Sequence, residues 1–231
     1  AGRYYDADTY TPTETGEIPI LPMTAKDELS FKTPDALING QATVDVIKSC
    51  VPNLLDPWKM VNYDTDTILL AIRIATYGET MDISYRVPVT NTMQDHSVNL
   101  PAVLEQLSKI KLEDYATTTK GFKVKIAPLT YKNLTKIQIA NFEQQKLQGT
   151  VMDSTLTEEQ KQTAFSKSWN TLNMVNFSLL VDSISEVTTP EGQSVTDRQQ
   201  IIEFCEKADT KTIKEIEEKL SALQVQAQTP P

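Results

Sequence analysis

Histidine and cysteine are scarce in this sequence. Its 231 residues include one His and two Cys, so a single chain cannot supply the four Cys and His ligands of a closed structural zinc site. Two Cys also cannot form the dense disulfide framework of a small secreted domain. Cys50 and Cys205 lie far apart in segments of apolar periodicity. We therefore expect both to be reduced residues of the core.

Basic residues are outnumbered, glycines are few, and long apolar runs are missing. The chain carries 22 Lys and Arg against 31 Asp and Glu, a net charge of −9, which disfavours the clustered basic surface that nucleic acid or anionic lipid requires. With seven Gly, neither common phosphate-binding glycine motif occurs. The longest apolar run, residues 68–72, is far shorter than the roughly 20 residues of a membrane-spanning helix. We expect no nucleic-acid partner and no membrane.

Catalytic and metal-binding constellations are equally sparse. Nucleophilic catalysis by Ser or Cys needs an oriented imidazole, and His96, the single candidate, adjoins a predicted loop. Asp64 and Asp66 could bind Mg²⁺ or Ca²⁺, but two carboxylates at the start of a helix need no metal to explain them. We predict no catalytic residue, no cofactor and no metal.

Apolar patterning is what the sequence does provide, and it predicts an α+β fold. Residues 81–87 alternate like a half-buried strand, with residues 96–100 as an antiparallel partner, and residues 122–126 alternate again. Helical spacing covers 65–77, and a capping box at Thr157 opens a long helical segment to about residue 187. This pattern predicts a small antiparallel sheet with helices in the N-terminal half and a mainly helical C-terminal half.

Four segments are predicted along the chain. An extended N-terminal arm covers residues 1–17, a mixed domain 18–127, a helical region packed on that domain 128–225, and a frayed tail 226–231. The absence of a long Gly or Ser linker is the reason for expecting the two larger segments to pack together.

Arg73 is the informative charge, because it lies inside the most apolar helical stretch. An unpaired buried guanidinium is costly, so Arg73 either forms an ion pair within the chain or contacts another subunit. Asp66 lies seven positions earlier, two helical turns away on the same side, and is the available internal partner. The sequence leaves both alternatives open.

Several motifs resemble the T4-type bacteriophage baseplate hub proteins. Residues 20–29, ILPMTAKDEL, resemble a family opening with Thr, Asp and Glu in fixed order, and residues 64–78, DTDTILLAIRIATYG, resemble a core ending in Arg-Ile and Tyr-Gly. The elements LING at 37–40, Cys50-Val51 and Asp56-Pro57 fit the same order, as does GRYY at 2–5. The resemblance covers about residues 18–107.

One position departs from the family pattern. Many relatives carry a Cys-Pro-x-Cys-like knuckle after the Tyr-Gly and the following strand, and here that position reads VPVT at 87–90. The cysteines are missing, which removes the basis for a zinc ion there. We expect the loop at 88–94 to be held by hairpin contacts instead.

The resemblance implies a non-enzymatic structural component of a contractile phage tail baseplate, in the hub or inner baseplate. Its implied partners are other baseplate and tail subunits, in multiple copies around the tail axis. It implies a place in the virion tail after assembly in the host cytoplasm. The alternative is a non-structural chaperone that helps build the hub and then leaves, and a small hydrolase with carboxylate chemistry is a distant third possibility.

Four residues are candidates for the interface. Tyr4 and Tyr5 lie in the polar arm, and tyrosine suits interfaces because it joins an apolar ring to a polar tip. Trp58 follows the break at Asp56-Pro57, and Arg73 is the charge described above.

Overall fold

The chain forms two compact units. A computed structural model describes residue 5 and residues 8–31, 39–88, 91–109, 115–152 and 157–226. One unit lies within Ala1–Lys111 and the other within Leu112–Gln228. Each combines helices with a small antiparallel sheet, which confirms the predicted α+β class.

The first unit has four described helices, one 3₁₀ turn and one two-stranded sheet. In chain order they are α1 (Ala25–Ser30), α2 (Gln41–Cys50), the 3₁₀ turn (Pro57–Lys59), α3 (Asn62–Tyr77), β1 (Thr80–Arg86), β2 (Met93–Asn99) and α4 (Leu100–Ser108). Helix α3 ends at Gly78, whose φ of 93° is open to glycine and strained for other residues. This is the stop that the Tyr-Gly pair predicts.

The core of the first unit forms between α2 and α3. Its buried side chains come from the two helices and from the segment between them: Val46, Ile47, Cys50, Val51, Leu54, Met60, Ile68 and Ile72. The segment before α1 adds to it, since Ile18, Ile20 and Met23 pack against the same cluster. The extended, proline-bearing stretch 17–23 therefore lies over the core as a strap.

The β1–β2 hairpin confirms the predicted pairing and corrects its burial. Ile83 lies opposite His96 in the antiparallel register. Six of the seven β1 residues are exposed, however, with Ile83 at 39% and Tyr85 at 47% exposure. The alternation was interpreted as a half-buried strand, and that interpretation is wrong because the described residues cover neither face of this two-stranded sheet.

The second unit has four described helices and a four-stranded sheet. In chain order they are β3 (Tyr115–Thr117), β4 (Lys123–Ile126), α5 (Tyr131–Met152), α6 (Glu158–Ser183), β5 (Ile184–Thr188), β6 (Ser194–Val195), α7 (Arg198–Lys207) and α8 (Thr210–Gln226). The strand order is β3-β4-β5-β6, with every pair antiparallel. Strand β4 is one of the two inner strands, and its Val124 and Ile126 are fully buried, as the alternation predicts.

Helix α6 ends earlier than the sequence predicts. The capping box at Thr157 opens it as expected, but the chain turns into β5 after Ser183 instead of continuing to about residue 187. Ile184 and Val187 are buried on the sheet, where they join Ile126, Ile201 and Ile216 in the second core. β-branched residues fit a pleated surface, and pairing with β4 outweighs the helical spacing that these positions also satisfy.

Candidate protein-binding surfaces

The N-terminal arm binds back onto its own unit. Tyr10 forms an antiparallel bridge with Leu54, and the Thr11 N–H donates to the Asn53 carbonyl at 2.9 Å. Thr9, only 1% exposed, accepts from the Leu55 N–H at 2.9 Å. Backbone pairing of this kind orders residues that the composition alone would leave loose.

Tyr5 anchors the arm to the start of α3. Its hydroxyl donates to the Asp64 carboxylate and accepts from the Val61 N–H at 3.1 Å. Val61 is the N-cap position of α3 and has no capping side chain, so the tyrosine serves a helix end that the local sequence leaves open. Tyr4 lies outside the described residues.

Asp64 and Asp66 occupy the first turns of α3 and differ in their surroundings. Asp64 accepts the Tyr5 hydrogen bond, whereas burial raises the pKa of Asp66. Helix α3 begins at Asn62, three residues before the predicted start at residue 65, so both carboxylates lie within the helix near its N-terminus.

Trp58 lies in the 3₁₀ turn before α3. Its backbone N–H donates to the Asp56 carboxylate at 3.2 Å, which caps the turn. Pro57, the first residue of the turn, is buried. The Trp58 side chain is half-buried. It thus contributes part of its ring to the surface of the first unit.

Arg73 lies on a face of α3 that the first unit covers only in part. Its guanidinium carbon is 4.4 Å from the centre of the Tyr77 ring, a cation–π contact one helical turn away. Within the described parts of the chain, its Nη1 is buried without a hydrogen-bond partner and no ion pair joins it to Asp66. The internal pairing that the sequence allowed is therefore not formed there.

Two motif stretches, residues 20–29 and 64–78, meet beside Arg73. The Tyr77 hydroxyl donates to the Glu28 carboxylate at 2.7 Å, and that hydrogen bond raises the pKa of Tyr77. The Met23 N–H donates to the Thr76 hydroxyl at 2.9 Å. Positions 49 or more residues apart thus form one surface, on which Tyr77 is 51% exposed.

Asp27 holds the other side of this junction together. It completes a capping box with Thr24 and accepts from the Ser49 hydroxyl at 3.1 Å. Burial alone would raise the pKa of Asp27, but these hydrogen bonds outweigh burial and lower it. The carboxylate therefore joins α1 to α2.

The cysteines and the single histidine show no catalytic arrangement. Cys50 and Cys205 are free and buried, which confirms the expected core cysteines, and burial raises the pKa of both thiols, that of Cys205 to about 11. His96 lies on the exposed β1–β2 hairpin. Among the described residues, no group of three or more His, Cys, Asp or Glu side chains could hold a metal ion.

The loop that departs from the family's knuckle is closed by hairpin hydrogen bonds at its described ends. The Val87 N–H donates to the Thr92 carbonyl at 2.9 Å, and the Asn91 N–H donates to the Val87 carbonyl at 2.8 Å. Asn91 adopts a left-handed conformation with φ of 54°, which asparagine tolerates in turns. Residues 89 and 90 lie outside the described part of the chain.

The second unit carries a surface that the sequence patterns did not mark. Helices α5 and α6 run antiparallel, with Lys136 near the start of α5 at 3.8 Å from Asp182 at the end of α6. Along α6, a row at spacings of four and eight residues stays exposed: Phe165 at 53%, Trp169 at 58% and Phe177 at 37%. The Phe165 and Trp169 rings lie 6.2 Å apart and nearly parallel. Because apolar residues are distributed around the whole of α6, no single stripe identifies this aromatic row in advance.

A groove lies between α5 and α6. It has a volume of about 440 Å³ and is lined by Ile139 and Ala140 of α5 and by Leu172 and Val175 of α6, with Lys136 and Lys167 also in the lining. Ile139 is 41% exposed within it. Exposed aromatic and aliphatic side chains of this kind are typical of protein-binding surfaces.

Comparison with known proteins gives one match. The sequence profile of a family described as T4 bacteriophage base plate protein matches residues 5–229, nearly the whole chain. No curated protein and no solved structure matches it.

Proposed function

Because the chain belongs to the T4 bacteriophage base plate protein family, it is a phage tail baseplate protein, and we propose that it is a structural subunit of the hub or inner baseplate. The family match over residues 5–229 is the observation that carries this proposal. It extends through the second unit, beyond the motifs at residues 18–107. The proposed subunit acts through protein contacts and has no enzymatic activity.

The chemistry of the described residues supports a non-catalytic role. Both thiols are buried with raised pKa values, which keeps them in the weakly nucleophilic neutral form. His96 lies exposed on the β1–β2 hairpin opposite Ile83, whereas Cys50 and Cys205 are buried in the two cores.

The proposed partners are other baseplate and tail subunits, with several copies of the chain around the tail axis. A net charge of −9 favours protein partners over DNA. None of the described helices is long and apolar enough to cross a membrane. The proposed location is the virion tail baseplate, reached after assembly in the host cytoplasm.

Arg73 is the proposed contact of the first unit. Its guanidinium group stacks on the exposed Tyr77 ring, and a guanidinium can bind a carboxylate of another subunit through two parallel hydrogen bonds. The further interface candidates are Trp58, Tyr4 and Tyr5. Because the Tyr5 hydroxyl is bound within the first unit, Tyr5 would contact a partner through its ring.

Quantitative mass spectrometry of purified particles tests the structural role. We expect the chain in mature tails at a fixed copy number per baseplate. Its absence from mature tails, together with its presence in assembly intermediates from infected cells, would contradict the structural role and leave the chaperone alternative.

The Arg73 contact has its own test. Arg73→Gln should lower incorporation into particles several-fold while the purified chain keeps its circular dichroism spectrum and unfolding midpoint. Arg86→Gln is the matched control, since Arg86 lies on the exposed hairpin and contacts Asn91 only at 3.4 Å. Equal incorporation of both variants would remove Arg73 from the interface.

A further inference from the structure

We propose that the groove between α5 and α6 binds an acidic amphipathic helix of another baseplate subunit, which packs there as the third helix of a bundle. The inference rests on the proposed function in one respect, namely that the helix comes from another baseplate subunit. The groove itself, its side chains and its charge are features of this chain alone.

The packing of α6 leaves the hairpin incomplete. One face of α6 is half-buried and lines the groove beside α5. Its residues follow at spacings of four, four and three: Ala164, Ser168, Leu172 and Val175. On the rest of the helix from residue 157 to residue 177, the side chains are exposed except for Lys161. Two antiparallel helices with aliphatic side chains exposed between them provide a groove in which a third helix can pack.

The groove has the size and lining for apolar side chains. Its volume of about 440 Å³ and its aliphatic side chains, Ile139, Ala140, Leu172 and Val175, suit leucine-like residues on one face of a helix. The polar side chains of the lining are the short hydroxyls of Ser168 and Thr171 and the longer Gln144, Lys136 and Lys167. An amphipathic helix can place residues at three- and four-residue spacing along such a groove.

Charge selects the class of helix. From residue 160 to residue 181, α6 contains Lys161 and Lys167 and no Asp or Glu, although the whole chain carries −9. Lys136 and Lys167 both line the groove, and no acidic side chain is among its described lining residues. Lys136 shares the Asp182 carboxylate with Arg198, and no ion pair is described for Lys167. Carboxylates on the flanks of the incoming helix would meet these two ammonium groups.

The same charges argue against a second copy of this chain in the groove. Pairing two α5–α6 hairpins face to face would bring Lys167 and Lys136 of each copy together, and like charges in an interface oppose association. Acidic flanks on the partner convert that repulsion into attraction. The occupant is therefore a different subunit.

Binding of a designed peptide to the full-length chain tests the groove. The probe is a fluorescently labelled amphipathic peptide of about 20 residues with Leu on one face and Glu on its flanks, and its counterpart has every Glu replaced by Lys. We expect the acidic peptide to bind at least about tenfold more tightly than the basic one, and added salt to weaken its binding.

Two matched pairs of variants locate the binding. Lys167→Glu should weaken the acidic peptide about tenfold, whereas Lys132→Glu, the same charge change on an exposed α5 residue outside the groove, should not. Ser168→Trp should fill the groove and abolish binding, whereas Ser166→Trp adds the same ring at an exposed site outside the described lining. Circular dichroism confirms that all four variants remain helical.

Several outcomes would overturn the inference. These are equal binding of both peptides, unchanged binding by Ser168→Trp, or self-association of the chain that Ser168→Trp removes. This peptide assay does not involve particles, so its result is independent of the particle analysis. Absence of the chain from tails would contradict the structural role alone, and failure of the acidic peptide would contradict the groove alone.

Discussion

At the scale of single residues, the first unit contains a carboxylate, that of Asp27, whose hydrogen bonds outweigh its burial. Asp27 is 7% exposed and accepts from the Thr24 N–H at 2.8 Å, the Thr24 hydroxyl at 2.7 Å and the Ser49 hydroxyl at 3.1 Å. Removing such an acceptor leaves several donors without partners in a partly dry environment.

Asp27→Ala should lower the free energy of unfolding by about 1–3 kcal/mol, because it breaks the capping box and the link to α2 together. Urea denaturation followed by circular dichroism measures the change. Lys26→Ala, at the exposed neighbouring position, should alter stability by less than about 0.5 kcal/mol. Equal effects of the two substitutions would contradict the role of Asp27.

Asp209 provides a pH prediction in the second unit. The Lys120 side chain and the Thr212 N–H, at 2.9 Å, bind its carboxylate and lower its pKa from 3.8 to about 2. Because the folded pKa lies below the unfolded one, this stabilisation is complete above about pH 4. It is lost as the pH falls from about 3.8 towards 2.

An NMR titration of the Asp209 carboxyl carbon checks this value. Lys120→Ala should raise the pKa towards 3.8. Lys161→Ala removes a lysine that pairs with Glu158 instead, and it should leave the Asp209 pKa at about 2. A pKa that did not move in Lys120→Ala would assign the shift to Thr212 alone.

At the scale of elements, the arm and α3 form one structural assembly. The Tyr5 hydroxyl bridges Val61 and Asp64 at the open end of the helix, and the strap at residues 17–23 covers the core below. Tyr5, which the sequence predicts as an interface residue, therefore also forms hydrogen bonds within its own unit.

Tyr5→Phe should destabilise the isolated chain by about 0.5–1.5 kcal/mol, because Val61 and Asp64 lose a hydrogen bond while the ring is retained. Chemical denaturation measures the loss, and hydrogen exchange at the start of α3 should accelerate. In Tyr85→Phe, an exposed hydroxyl that donates to Gln94 at 3.2 Å is removed, so stability should change little. No difference between the variants would mean that the anchor carries no stability.

Some helix ends and one buried strand face could be predicted from the sequence, whereas contacts between distant segments could not. The Thr157 cap, the Gly78 stop and the buried face of β4 follow from local rules. The end of α6 at Ser183 depends on pairing with a strand about 60 residues earlier, which no local pattern contains.

The candidate surfaces divide in the same way. Arg73 was identifiable because a charge interrupts an apolar helix, although its stacking on Tyr77 depends on the folded helix. The groove and the aromatic row could be identified only once it was known which face of α6 packs against α5. From the sequence alone, Phe165 and Trp169 would be expected in a core, because they are large and apolar.

At the scale of the whole molecule, two separate cores stabilise the chain. Ile47 is fully buried in the first and Ile126 in the second. Each substitution to Ala should cost about 2–5 kcal/mol in its own unit.

Native-state hydrogen exchange of Ile47→Ala and Ile126→Ala checks this separation. Protection should fall within residues 1–111 in the first variant and within residues 112–228 in the second. Uniform loss of protection along the chain in either variant would show that the two units unfold as one cooperative body.

The pairing of β4 with β5 also bears on how this protein can vary. Ile126 and Ile184 are register partners, so the chain leaves the sheet after one and returns beside it at the other, with both long helices in between. The hairpin is thus an insertion whose two ends are fixed side by side. Whole helical turns could be added or removed at its tip without shifting the strand register. The length of the α5–α6 hairpin can therefore differ between related proteins without a change in the sheet.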